Sequence, residues 1–378
     1  MQFAFTEEQH QFKDVVKRFL REKSPTTEVR RLMETDDGFD PVVWKQLSDE
    51  LALSSLIVPE NYGGAGFGFV ELSIVMEEMG HSLLCAPYFS SVVLAANAIL
   101  NVGTEKQKLD LLPQIASGSI RATLAVTESS GRWNAAAVEL VAETDGDEFT
   151  LQGEKCFVVD GHTAGKIVVV ARLEGSEGDD GISFFVVDGD APGLTKSLLK
   201  TVDPTRKLAR LEFNSVQAEP LGEPGAGMGA LTKTLDQAAI ALSNEMIGGA
   251  QYLMDSTVEY SKVRMQFGRV IGSFQAIKHR CADMLLLLEL AKSAAYRAAA
   301  ALDEGDESVP VLANMAKSAA SDAYIQIAAD SIQIHGGIGF TWDQDTHLWF
   351  KRAKSSEVFL GDPAYHRELM MQRWGEGI

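Results

Sequence analysis

The chain has 378 residues, 46% of them hydrophobic, and its 34 Lys and Arg against 53 Asp and Glu give a formal charge of -19. That is enough apolar content for substantial cores in more than one domain. The negative balance excludes long-range attraction to nucleic acid phosphates or an anionic membrane surface, so any anionic ligand has to be held by local donors.

The opening run MQFAFTEEQHQF carries Glu7 and Glu8 where a secretory signal is basic, and no stretch approaches about 18 apolar residues, so a cytoplasmic location is expected. Three cysteines, Cys85, Cys156 and Cys281, are widely spaced without a metal-ligand pattern and read as packing residues. Residues 1–118 read as a helical domain. Thr6 and Gln9 form a capping-box pattern ahead of a stripe at Phe12, Val15, Val16, Phe19 and Leu20. A second helix is expected from about Asp40 to Leu53. The glycine-rich run PENYGGAGFG interrupts the pattern before a helix over Val70–Met79, and Thr104–Ser117 forms another.

From residue 119 to 222 the period changes to β-branched and aromatic runs: RATLAVT, EFTLQGEKCFVVD, KIVVVARL, ISFFVVDG and LARLEFNSV. Asp145-Gly146 and GDDG are turn signals between them. No helix separates the runs, which predicts a largely antiparallel sandwich or barrel. Residues 223–378 return to helix and read as a four-helix bundle. A long helix follows GEPGAG, another spans Phe274 to about Asp303, and a third is opened by Ser308-Val309-Pro310 and runs to about His335 before a terminal helical region. The fold class is therefore α+β. The run GAGMGA from Gly225 to Ala230 fits a dinucleotide fingerprint, but Ala218 to Pro224 reads as a turn-rich linker and not as the buried strand of a βαβ unit.

Between Asp236 and Asp255 the only charged residue is Glu245, on or beside an apolar stripe of Leu231, Leu235, Leu242, Met246 and Gly249. Loss of hydration there draws a carboxylate toward taking and returning a proton near neutral pH. The other readings are a surface glutamate or one paired with a distant arginine. Small residues at Ala238, Ala239, Ala241, Gly248 and Gly249 are expected to leave room for a bulky ligand.

The order of α, β and α segments, with PENYGGAGFG, AVTESSG, RMQFGRVIGSFQAIKHRCADM and QIHGGIGFTWDQDTHLWFKRAK, resembles the acyl-CoA dehydrogenase family over nearly the whole chain. The resemblance implies α,β-desaturation of an acyl-CoA thioester, FAD at a subunit interface, and an electron-transfer flavoprotein as electron acceptor. It assigns Arg264, Gln266, Phe267, Gln333, Gly336 and Gly337 to the flavin pyrophosphate and adenine of a neighbouring subunit. Thr127 and the aromatic Phe157 are assigned to the flavin ring side. No metal is implied.

Departures from the family pattern shape the rest of the reading. Leu360 stands at the usual position of the catalytic glutamate, and Ala238 at its second known placement. Neither can take a proton. Glu245 lies seven residues beyond Ala238 on the same helix face and is the expected base; Asp362 is the fallback, with a turn or cap before Pro363 as its other role. TESSGRWN and FVVD replace the family's TEPGAGSD and WITN, with Trp133 and Val159 at positions of hydroxyl donors, and Ala364 replaces a glutamine. A weakened flavin cradle is compatible with a homotetramer or with an α2β2 heterotetramer containing a second acyl-CoA dehydrogenase-like subunit. A non-catalytic partner subunit and an oxidase or monooxygenase on the same fold are the alternatives.

Overall fold

Thr6 caps α1 (Glu7–Lys23): its hydroxyl accepts from the Gln9 amide at 3.2 Å, and the Gln9 side chain accepts from the Thr6 amide at 2.9 Å. The expected box forms, and Val16 and Leu20 of its stripe are fully buried. The computed structural model describes residues 5–146 and 148–375. Helix α2 (Thr26–Met33) is not anticipated by the sequence reading, because TTEVRR is polar; its narrow stripe, Val29, Leu32 and Met33, is buried all the same. Asp40 caps α3 (Pro41–Asp49), accepting from the Val42 and Val43 amides. The helix stops short of Leu53, with Ala52 in the left-handed region at φ 53°. In α4 (Phe69–His81) the first amides, Phe69 and Val70, donate to the Asp303 carboxylate at 2.7 and 2.9 Å. Also absent from the sequence reading are a buried π-helix, Phe89–Ala96, and α5 (Asn97–Val102) after it, since FSSVVLAA is buried on every face and shows no period. Thr104 and Gln107 build a second capping box on α6 (Glu105–Ala116).

The strands are β1 (Ala122–Ala125), β2 (Val141–Asp145), β3 (Glu148–Val159), β4 (Lys166–Leu173), β5 (Ile182–Asp188), β6 (Leu194–Leu198) and β7 (Leu208–Leu221), in a seven-stranded sheet. β4, β2, β3, β7 and β5 pair in a closed ring, which makes the expected barrel. Pairing is antiparallel except where β1 and β2 run parallel to β4 at different ends of one edge. Closure leaves the inside to Ala142, Leu151, Ile167, Val169, Phe185, Leu211 and Phe213, all buried. The short β2 and β6 go unread in the sequence because VAETD and LTKSL are too rich in polar residues to show an apolar run. β7 runs to Leu221 and pairs Val186 with Glu219 and Phe184 with Leu221, so Ala218–Leu221 is strand and not linker. The dinucleotide reading of GAGMGA still fails, because β7 is antiparallel to its neighbours β3, β5 and β6.

The helical region comprises α7 (Met228–Val263), α8 (Gln275–Glu304), α9 (Val309–His335), α10 (Thr346–Val358) and α11 (Pro363–Gly375). Gly305, at φ 65°, ends α8 and turns the chain into α9.

The chain packs as two units, neither continuous in sequence. One takes the segment ending at Arg30, residues Phe69–Leu84, and everything from Ala239 on. The other takes Arg31–Gly68 and Cys85–Ala238, including the barrel. Among the described residues no helix is long and apolar enough to cross a membrane. Cys85 and Cys156 are buried as expected of packing residues, while Cys281 is half-buried.

Candidate active site

Glu245 lies near the middle of α7 and is 5% exposed, as its place beside the apolar stripe predicts. It is not a lone acid. Arg352 on α10 donates from Nη1 to Glu245 Oε1 at 2.7 Å, and both side chains are buried. Of the readings the sequence left open, the distant arginine is the one found. Stripping water from a carboxylate costs on the order of several kcal/mol, and a guanidinium at hydrogen-bond distance offsets that cost.

Three helices fix this pair. The Tyr252 and Trp349 rings stack with centroids 3.7 Å apart and planes at 12°. α7 and α10 therefore run past each other in opposite directions, 252 beside 349 and 245 beside 352. Trp349 Nε1 also donates to the Gly80 carbonyl at 3.2 Å, which ties α10 to α4. α4 and α7 touch backbone to backbone: a β-carbon at Gly248 would lie 1.8 Å from the Glu77 carbonyl oxygen, and one at Gly249 would lie 2.3 Å from the Tyr324 hydroxyl. The expectation that these small residues leave room for a bulky ligand is thus corrected. Gly248 and Gly249 let helices approach, and Ala238, Ala239 and Ala241 are buried in packing.

Leu360 is buried and left-handed, at φ 64°, and its carbonyl lies 3.1 Å from His366 Nε2. The buried Lys317 ammonium donates to the Glu357 and Gly361 carbonyls on either side. Asp362 is exposed, and its Oδ1 accepts from the Tyr365 amide at 2.8 Å. It caps α11, the other role the sequence allowed it.

Arg264, Gln266 and Phe267 belong to a tight hairpin in which Met265–Gln266 pairs with Arg269–Val270. Phe267 and Gly268 both have positive φ, 54° and 78°, as a two-residue turn of this twist requires. Phe267 is 90% exposed despite its strained backbone. Gln333 is exposed at the end of α9, and at Gly336 and Gly337 a β-carbon would meet nothing within 4 Å. Tyr260 and His335 stack at 4.2 Å, which brings the hairpin and the Gln333–Gly337 turn to one end of the helical unit. That end lies about 28 Å along α7 from Glu245, by the rise of a straight helix. An exposed guanidinium, two amides and open-faced glycines suit an extended anionic ligand.

In the other unit Thr127 is buried, donates from Oγ1 to the Cys156 carbonyl at 2.7 Å, and accepts the Cys156 amide at its own carbonyl. This joins the TESSG run to Phe157, which sits at a register shift between β3 and β7 with φ 60° and its side chain 40% exposed. Beneath them the fully buried Lys155 ammonium donates to Glu128 Oε1 at 2.7 Å and to the Val126 carbonyl at 2.8 Å. Burial pulls the Lys155 ammonium below its ordinary pKa, and Glu128 opposes that shift. The Glu128 carboxylate also accepts the Glu139 and Leu140 amides. Val159 is buried and Trp133 half-buried, and neither side chain supplies a hydroxyl. The sequence reading omitted Arg352 and Lys155; the one available sign was a cation on an apolar helix or strand face, which sequence alone does not separate from a surface charge.

The chain matches three family models in order: the acyl-CoA dehydrogenase N-terminal domain over residues 6–119, the middle domain over 123–216, and the C-terminal domain over 225–375. It is 34% identical over 358 residues to acyl-CoA dehydrogenase IpdE2 of Mycobacterium tuberculosis, covering 94% of each chain. Among solved structures it resembles a variant of the Tcur3481–Tcur3483 steroid ACAD at 30% identity and a TM-score of 0.88, covering 98% of both chains. Butyryl-CoA dehydrogenase from Megasphaera elsdenii resembles it at 28% identity and a TM-score of 0.92, over 98% of this chain and 99% of that one. The chain belongs to the acyl-CoA dehydrogenase family of FAD-dependent oxidoreductases.

Proposed function

We propose that this chain desaturates an acyl-CoA thioester between its α and β carbons, with Glu245 taking the α-proton. The α C–H bond breaks, its proton passes to a carboxylate oxygen of Glu245, and its electron pair becomes the new double bond as the β-hydrogen leaves with its own pair. FAD, when bound, supplies the two-electron acceptor for that hydride. The residues present fit such a cofactor. Arg264 offers a forked guanidinium to a pyrophosphate, Gln266 and Gln333 offer amides, Phe267 an exposed ring, and Gly336 and Gly337 an unobstructed backbone. Thr127 and Phe157 would face the ring system of a separate copy of the cofactor, whose phosphates a neighbouring subunit holds.

The observation that carries the reading is a buried carboxylate fixed in a helix core by the Arg352 guanidinium. The test is Glu245→Gln in the assembled enzyme: turnover of an acyl-CoA should fall by at least 100-fold, by the usual weight of a general base, with flavin content unchanged. Unaltered turnover would sink the assignment. Electron-transfer flavoprotein is the proposed acceptor. Rapid reoxidation of the reduced enzyme in air, with peroxide formed, would instead mark an oxidase.

A second reading has its own support. Thr127 already spends its hydroxyl proton on Cys156, and Val159 and Trp133 bring no hydroxyl, so this chain's own cradle is donor-poor. We therefore propose an α2β2 assembly in which Arg264, Gln333 and Gly337 complete a flavin site on a second, related subunit. The likeness to the two-component Tcur3481–Tcur3483 enzyme supports it and makes steroid-derived acyl-CoA thioesters the first substrates to screen. A yellow tetramer from this chain alone, with about one flavin per chain, would favour the homomeric form. A colourless preparation that gains flavin with a co-expressed partner would favour the heteromeric one.

A further inference from the structure

We infer that Arg352 is the positioning residue of the proposed base: its guanidinium pairs with Glu245 and fixes the carboxylate in one rotamer, so that the acceptor is in place before substrate arrives. The inference rests on the reading of Glu245 as the base. Arg352 occurs in the run THLWFKRAKSSEV, where Trp349, Arg352, Ala353 and Ser356 form the buried face of α10. A cation on that face has to be matched, and Glu245 meets it at 2.7 Å. The guanidinium does not deprotonate in proteins, so its charge persists throughout turnover.

The geometry leaves Arg352 little freedom. One turn earlier on the same face, Trp349 is stacked on Tyr252 and bonded to the Gly80 carbonyl. That clamp sets where α10 lies against α7, and so the reach of Arg352 to Glu245. Removing the guanidinium would take from a buried carboxylate the donor that offsets its desolvation and fixes its rotamer. A carboxylate so released no longer stands where the α-proton is to be taken. The expected defect is therefore in the chemical step and not in substrate binding.

The test uses the flavin-loaded assembly with Glu245→Gln, Arg352→Gln, Arg352→Lys and the double variant Glu245→Gln/Arg352→Gln. The readouts are kcat, KM and exchange of the substrate α-hydrogen with heavy water, each per bound flavin. Arg352→Gln should lower kcat and exchange about 100-fold with KM within about twofold. Arg352→Lys, which restores a cation, should recover most of the loss. The double variant should be no slower than Glu245→Gln, because two residues acting through one step do not add. Should Arg352→Gln yield no folded protein, Arg352→Lys decides: kcat within about tenfold of the parent supports the inference, and a loss equal to that of Glu245→Gln at unchanged KM overturns it. If Glu245→Gln is inactive while Arg352→Gln turns over normally, the inference fails and the base stands. If Glu245→Gln is itself active, the reading of the base fails first.

Discussion

A β-carbon added at Gly80 would lie 1.9 Å from the carbonyl oxygen of Glu245, so α4 and α7 cross with no side chain between them. Gly248 makes the reciprocal contact with Glu77. The backbone of the proposed base is thus fixed by one helix and its carboxylate by another. Because the obstructing atoms are backbone, they cannot swing away. Gly80→Ala should cost about 3 kcal/mol of stability by overpacking and should also lower activity by displacing Glu245. Urea denaturation and kcat measured on the same preparation check it; a stable, fully active variant would show that the two helices are free to separate.

Arg264 and Gln333 are exposed and sit outside any core, so their removal should spare the fold. Arg264→Gln combined with Gln333→Ala should leave the melting temperature of the flavin-free chain within about a degree or two, while weakening flavin binding at least tenfold, by the strength of charge-assisted hydrogen bonds. Absorbance near the flavin band after gel filtration gives the loading. Full loading of the double variant would place the cofactor's phosphates elsewhere.

Phe267 has a left-handed backbone while exposing 90% of its surface, a combination with no benefit inside an isolated chain. For Phe267→Gly, relief of strain and loss of chain stiffness nearly cancel, so stability should hold within about 1 kcal/mol. The ring's absence should appear instead as weaker flavin retention or subunit association, read by sedimentation at several concentrations. No change in either would reduce Phe267 to a turn residue.

Burial holds the His335 imidazole below its ordinary pKa, opposed by a hydrogen bond to the Ser331 carbonyl. Because the folded value lies below the unfolded one, the unfolded chain binds more protons in that window. The stability His335 contributes is complete above about pH 6.5 and is lost as pH falls through its depressed folded value. His335→Phe keeps the stack on Tyr260 and removes the titration. As pH falls below about 6.5 the parent should lose stability faster than this variant, by up to about 1.4 kcal/mol per pH unit. Parallel stability profiles for the two proteins would contradict this.

The local grammar was legible in the sequence. The capping box at Thr6, the helix opened at Thr104, the run from Ser308 to His335 and the alternating β runs are fixed by neighbours within a few residues, and the structure forms each of them. Segments lacking a period, such as FSSVVLAA, took their form from the packing that buries them, and polar ones, such as the second and sixth strands, from backbone pairing with strands distant in sequence. Glu245 shows the division most clearly. Its burial followed from helical spacing alone, but its partner lies 107 positions away, and no local rule links them. The glycines beside it point the same way: sequence offers empty space, and packing decides whether a ligand or another helix fills it. Here the backbone of α4 fills it, because close-packed helices gain more from contact than a void could return.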